Sequence, residues 1–195
     1  LLADAVTPIG YAVKGGQLSD DLRRYKSGGE GAAAATARLR PMLSRFLCDH
    51  GDCLWRAAGM AGGPAVAAVV PSGQGRPGAH PLLDVVRSCV DLPVAGLSVR
   101  PHGAARGRGV SAGWLRVSGQ VAGEDVLLVD DTWVSGGSVQ SAAIALKLAG
   151  AARVAAVVLG RHLDPADPRS AGLLRALGSA PSSARSCGLS GCEPT

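Results

Sequence analysis

The sequence predicts an α/β fold, a parallel sheet flanked by helices, on three observations. From Pro64 onward short apolar runs alternate with helical stretches, the order in which a chain lays down parallel strands and crossover helices. The run at 126–129, Val-Leu-Leu-Val, is short, unbroken and closed by two acids, as expected of a strand buried on both faces. Hydrophobic residues make up 47% of the 195 while aromatic residues make up only 3%, so the core has to be built mostly from Ala, Val and Leu.

Taken in order, residues 1–63 alternate Gly-rich breaks with helical stretches, the clearest at 30–55 with Pro41 and Gly51 as interruptions. Residues 64–165 form the α/β core, with strands expected at 65–70, 94–99, 126–129 and 154–159 and helices at 81–90 and 138–148. Right-handed crossovers would place the loops that follow these strands on one edge of the sheet. Residues 166–195 read as a helix followed, from Gly178, by an irregular tail rich in Ser, Gly and Ala. The length suits a single structural domain overall.

A formal net charge of +5 suits a polyanionic ligand. Of the 20 basic residues, however, only Lys14, Lys26 and Lys147 are lysines, and this Arg bias in an Ala- and Gly-rich chain also fits biased codon usage. Basic residues never cluster in runs of five and aromatic platforms are scarce, so nucleic acid is disfavoured as a partner. No run reaches the length of a membrane span and the opening residues lack a signal pattern, which points to a soluble cytoplasmic protein with no membrane partner.

The chemistry concentrates in residues 126–138, Val-Leu-Leu-Val-Asp-Asp-Thr-Trp-Val-Ser-Gly-Gly-Ser. Asp130 and Asp131 end the central strand, where open α/β sheets bind ligands. Ser135, Gly136, Gly137 and Ser138 can turn their N–H groups inward as an anion nest, and the following helix adds the positive end of its dipole. One end of this loop suits a phosphate and the other suits vicinal hydroxyls.

The stretch resembles, position by position, the phosphoribosyl pyrophosphate (PRPP) binding motif of the type I phosphoribosyltransferases: aliphatic residues, two acids, then a hydroxyl- and glycine-rich loop. The resemblance implies that Asp130 and Asp131 hold the ribose 2- and 3-hydroxyls, directly or through Mg²⁺. It implies that Thr132, Val134 and the loop from Ser135 to Ser138 line the PRPP site, the loop taking the 5-phosphate. The family's fold would make 64–165 the PRPP-binding core, with residues 1–63 and the tail as a small variable hood that selects the acceptor. A homodimer is compatible with this reading.

Two further loops are drawn in by the same resemblance. Residues 71–78 contain a literal G-x-G-x-x-G in Gly73, Gly75 and Gly78, but Pro71 and Pro77 stiffen the loop and the helix begins only near Pro81, so a dinucleotide turn does not fit. Ala79 and His80 stand where a P-loop needs Lys and Ser/Thr. The family implies instead that Ser72 and Gly73 contact pyrophosphate, with Arg76 nearby. Residues 100–117 form a long Gly- and Arg-rich connection, the kind of loop that serves as a lid or linker. By analogy with the family's mobile loop, Arg106 and Arg108 are the candidates to meet the pyrophosphate at the reacting centre. A plain surface loop is the competing reading for both segments.

Cys48 and Cys53 enclose His50, and Cys187 and Cys192 repeat the spacing near the end. His50, Cys53, Cys187 and Cys192 would make a tetrahedral set for a structural Zn²⁺, with Cys48 as an alternative ligand. Ordinary reduced thiols in a cytoplasmic protein compete with that reading. His80, His102 and His162 are scattered with no acid or serine at suggestive spacing, which leaves a Ser-His-Asp hydrolase without support. His162 falls after the last expected strand.

The resemblance therefore implies an Mg-dependent pentosyltransferase of nucleotide metabolism that moves 5-phosphoribosyl from PRPP to a nitrogen nucleophile with release of pyrophosphate. Val134 stands where some members carry an acid that helps deprotonate the base, which argues against 6-oxopurine acceptors and leaves the acceptor open. Residues 18–26, Leu-Ser-Asp-Asp-Leu-Arg-Arg-Tyr-Lys, are similar to a segment of competence-associated, amidophosphoribosyltransferase-like relatives. A PRPP-sensing protein on the same fold is the alternative. A nicotinamide-dependent oxidoreductase using the loop from Gly73 to Gly78 is a remote third.

Overall fold

The computed structural model describes residues 1–72, 80–101, 109–179 and 189. Its elements run β1 (Ala5–Val13), α1 (Gln17–Arg24), α2 (Glu30–Ala57), β2 (Val66–Val69), α3 (Leu82–Arg87), β3 (Val94–Val99), β4 (Leu115–Ser118), β5 (Asp125–Trp133), α4 (Gly137–Leu148), β6 (Arg153–Leu163) and α5 (Pro168–Ser179). Among the described residues one six-stranded sheet has the order β1-β6-β5-β2-β3-β4, parallel throughout except for β4, which runs antiparallel to β3. Helices flank it, as the alternation of apolar runs predicts.

Period-two alternation divides each inner strand between two cores. Leu127 and Val129 of β5, with Ala155, Val157 and Leu159 of β6, face a layer built from Leu39, Leu43, Phe46 and Leu54 of α2 and Leu82, Val85 and Val86 of α3. Val126 and Leu128, with Val154, Ala156 and Val158, face Val139, Ala142, Ala143 and Leu146 of α4. Leu127, Leu128 and Leu146 are fully buried. At about 1.5–3 kcal/mol for each large aliphatic side chain removed from water, this double burial holds β5 at the centre.

The sequence reading places no strand before residue 64, yet β1 joins the sheet beside β6, with Ala5 against Ala155 and Val13 against Leu163. Pro8 and Gly10 disguise it, since both are poor strand residues. An edge strand tolerates them because one side of its backbone makes no ladder bonds. Gly10 lies in register with Gly160, and α1 rests on this flattened patch: a Cβ at Gly160 would lie 2.5 Å from Leu22 Cδ1 and 3.0 Å from Ala12 Cβ. Asp4 fastens the entry to β1, accepting from the Val154 N–H at 2.7 Å and pairing with Lys147 at 2.7 Å. Burial opposes ionisation of Asp4, but those two partners hold its carboxyl below the ordinary value.

Other differences follow from packing. Helix α2 runs unbroken through Pro41 and Gly51, because burial of Leu39 and Leu43 on either side of the proline outweighs one lost backbone hydrogen bond. The connection expected at 100–117 ends in a strand: Trp114 and Leu115 are buried, and β4 pairs Leu115 with Val99. Strands β5 and β6 are longer than their apolar runs, so Asp130, Asp131 and His162 all lie within strands, and His162 pairs with Ala12 instead of sitting in a loop.

Candidate functional site

Because β1, β2, β3, β5 and β6 are parallel, their carboxyl ends share one edge of the sheet. Lys14 after β1 and Asp164 after β6 are joined there at 2.8 Å. That contact, with the Ala166 N–H, holds the Asp164 carboxyl below its ordinary value. Ser72, partly buried, follows β2 on the same edge.

At the end of β5 the chain carries Asp130, in register with Val158, and then Asp131. Both are buried, at 7% and 5% exposure, although strand alternation sends consecutive side chains to opposite faces. Asp130 Oδ1 accepts the Asp131 N–H at 2.8 Å. Asp131 Oδ2 accepts a hydrogen bond from the Tyr25 hydroxyl and forms an ion pair with Lys26 Nζ. His80 completes the group, with its Nε2 3.7 Å from the same oxygen and its Nδ1 accepting from the Leu82 N–H at 3.2 Å. A carboxylate this far from water needs such partners. Tyr25, Lys26 and His80 were not found from sequence, since 106, 105 and 51 residues separate them from Asp131 and no spacing rule joins them; the similarity of residues 18–26 to the competence-type segment was the one available hint.

Beyond Asp131 the loop turns into α4. Gly136, the N-cap, has φ of +79°, the left-handed conformation glycine adopts most readily, and no side chain caps the helix. The first turn also holds no acid, so the positive helix end favours an anion there. Ser135 is exposed, Ser138 partly buried, and the Gly137 N–H lies 3.5 Å from Ser135 Oγ. Trp133 underlies this turn, and the Arg161 guanidinium stands 5.8 Å from its ring. Ser141, fully buried on α4, donates to the Gly137 carbonyl at 2.6 Å and accepts the Ser111 N–H at 2.8 Å. The end of the connection between β3 and β4 is thereby tied to the first turn of α4.

The structure thus brings Asp130, Asp131, Thr132, Val134, Ser135, Gly136, Gly137 and Ser138 together at the end of β5. Gly73, Arg76, Arg106, Arg108, Cys187 and Cys192 lie outside the described residues. Of the proposed zinc ligands that are described, His50 is buried with its ring 5.5 Å from that of Phe46, Cys48 is exposed and Cys53 is partly buried. No group of three or more His, Cys, Asp or Glu among the described residues could hold a metal ion. Cys89 contacts the Arg40 carbonyl, and burial pushes its thiol up. Among the described residues no helix is long and apolar enough to cross a membrane.

The donor set at β5 fits Mg²⁺ in one way. This ion is usually held by one or two carboxylates, with water and substrate phosphates filling its remaining positions. Of the residues at this strand end, Asp131, whose Oδ2 now pairs with Lys26, is the carboxylate that could hold such an ion, the remaining positions being left to water and to a bound ligand.

No family model matches the chain, and no curated protein does. Among solved structures it is similar to an orotate phosphoribosyltransferase from Mycobacterium tuberculosis H37Rv at 22% identity, over 80% of this chain and 73% of that one, with a TM-score of 0.43. A phosphoribosyltransferase from Corynebacterium diphtheriae is 23% identical over 80% of this chain and 75% of its own, with a TM-score of 0.43. A purine phosphoribosyltransferase from Pyrococcus horikoshii Ot3 is 17% identical over 67% and 87%, with a TM-score of 0.40.

Proposed function

We propose that the chain is a phosphoribosyltransferase that takes PRPP and transfers its phosphoribosyl group to a nitrogen nucleophile. The observation that carries this reading is the arrangement at the end of β5: two buried acids on the central strand, followed by a glycine turn that opens α4 without a side-chain cap. In this reading the acids serve the ribose hydroxyls and the glycine turn serves the 5-phosphate.

In the reaction the bond from ribose C1 to pyrophosphate breaks as a bond to the acceptor nitrogen forms. Asp131 would fix the ribose by its hydroxyls, with Asp130 on the other face bracing the strand end through the Asp131 N–H, and the N–H groups from Ser135 to Ser138 would hold the 5-phosphate, so that C1 faces the acceptor in one orientation. Mg²⁺, when bound, supplies Lewis-acid stabilisation of the departing diphosphate. Ser72, Gly73 and Arg76 would cradle that group, with Arg106 and Arg108 closing over it. Val134, an exposed valine on the loop, has no proton to exchange, which disfavours acceptors that need a base there. The same valine, and the engagement of Asp131 by Lys26, favour a second reading in which the site senses PRPP without turnover.

Calorimetric titration of PRPP with and without Mg²⁺, on the native chain and on Asp130→Asn/Asp131→Asn, tests binding. Metal-dependent binding that disappears in the double variant supports the site, and pyrophosphate release on adding candidate bases then separates transferase from sensor. A folded native chain that takes up no PRPP overturns both readings.

A further inference from the structure

We infer that Lys26 is an internal counter-ion for Asp131, which a metal-bound phosphoribosyl ligand has to displace; this regulation of the site rests on the PRPP reading above. The acid that would serve the ribose end of the ligand is already engaged by the Lys26 ammonium, the Tyr25 hydroxyl and, at 3.7 Å, His80. Lys26 already neutralises Asp131 at Oδ2, so a metal-bound ligand drawing on that carboxylate meets a second positive charge a few ångströms away, and the repulsion between the two opposes binding until Lys26 withdraws.

Tyr25 and Lys26 are adjacent but differently held. Tyr25 closes α1, donating its N–H to the Asp21 carbonyl at 3.0 Å, and the residue is 3% exposed within the core. It is a fixed strut that orients Asp131. The Lys26 side chain is 28% exposed, and the backbone after it passes through Ser27 to Gly28 and Gly29, with φ of +74° and +82° and no atom within 4 Å of where a Cβ would stand at either. Ser27 donates both its N–H, at 2.9 Å, and its hydroxyl, at 2.7 Å, to the Arg24 carbonyl, so the backbone at Lys26 stays tied to α1 and it is the half-buried lysine side chain, with open space beyond at Gly28 and Gly29, that can move. Lysine's flexible stem and strongly hydrated ammonium suit it to such an exchange better than a forked guanidinium would.

Calorimetric titration of PRPP in the presence of Mg²⁺ tests the inference on the native chain, Lys26→Met, the milder Lys26→Gln and the charge-keeping Lys26→Arg, each checked for folding by thermal melting. With the competitor removed, Lys26→Met and Lys26→Gln are expected to bind about three- to tenfold tighter, the range a partly screened ion pair can supply, while Lys26→Arg, which keeps the charge and grips the carboxylate at least as firmly, binds no tighter than the native chain. Tighter binding in either neutral variant supports the displacement. If the native chain binds and both folded neutral variants bind equally or more weakly, Lys26 is a bystander or a ligand contact and the inference fails alone. If neither the native chain nor a neutral variant binds, the PRPP reading fails and takes the inference with it.

Discussion

Arg38 of α2 grips Asp21 of α1 through two hydrogen bonds, Nε to Oδ2 at 2.9 Å and Nη2 to Oδ1 at 2.6 Å. Gln17 adds a third at 2.9 Å, so a buried carboxylate fixes the helix that ends in Tyr25. The Arg38 contact holds the Asp21 carboxyl below its ordinary value of 3.8 despite the opposing effect of burial. A carboxylate with a depressed folded value stabilises the fold above its unfolded value, and that stabilisation is lost as pH falls through the folded value. Native protein should therefore lose melting temperature on acidification below 3.8 more steeply than Asp21→Asn. At neutral pH the variant should melt a few degrees lower. Melting curves between neutral and strongly acid pH check both; parallel curves would remove Asp21 from the acid response.

Gly136→Ala should damage the anion turn. Its positive φ disfavours a side chain, and the added Cβ would sit 3.1 Å from the Trp133 indole. A left-handed alanine costs about 1–2 kcal/mol before any clash, and tilting the first turn of α4 should weaken PRPP binding further. Gly62→Ala, with nothing within 4 Å of its Cβ position, is the matched control and should leave both melting and binding unchanged.

Ser141→Ala removes the acceptor of the Ser111 N–H and the donor to Gly137 from a fully buried position. The expected loss is about 0.5–1.5 kcal/mol, the net worth of a hydrogen bond whose partner, at the partly buried Ser111, can still turn to water. Amide hydrogen exchange should show faster exchange at Ser111 while the β5–β6 ladder stays protected. Unchanged exchange at Ser111 would mean the two segments are held by something else.

Gly160→Val should lift α1 from the sheet. The new side chain would run into Leu22 Cδ1 at 2.5 Å and Ala12 Cβ at 3.0 Å; the leucine can rotate, but the strand-borne Ala12 cannot. Overpacking of this kind costs about 1–3 kcal/mol. Because α1 carries Tyr25, the variant should also show faster proteolysis in the turn at 25–29, and an unchanged digest would separate that turn from the packing of α1.

The segment 125–148 was largely legible in the sequence, because a buried central strand must be apolar on both faces and a tight turn into a helix calls for glycine. The apolar run, the two acids and the glycines together located β5, α4 and the cluster from Asp130 to Ser138. Helix α2 was also legible from its apolar spacing, although Pro41 and Gly51 looked like breaks. Composition set the aliphatic core.

Only the tertiary structure decided what stands against that cluster. The edge strand β1 hides behind Pro8 and Gly10, whose fitness depends on having one unpaired side, a property of sheet position that a local pattern does not carry. The partners of Asp131 come from Tyr25 and Lys26 after α1 and from His80 before α3, brought together because helices pack on the sheet from distant points in the chain. Local sequence records which backbone shapes and burial patterns each segment prefers. Which charge meets which is set by the register of β1 on β6 and by the seating of α1 on Gly160, and those are long-range choices.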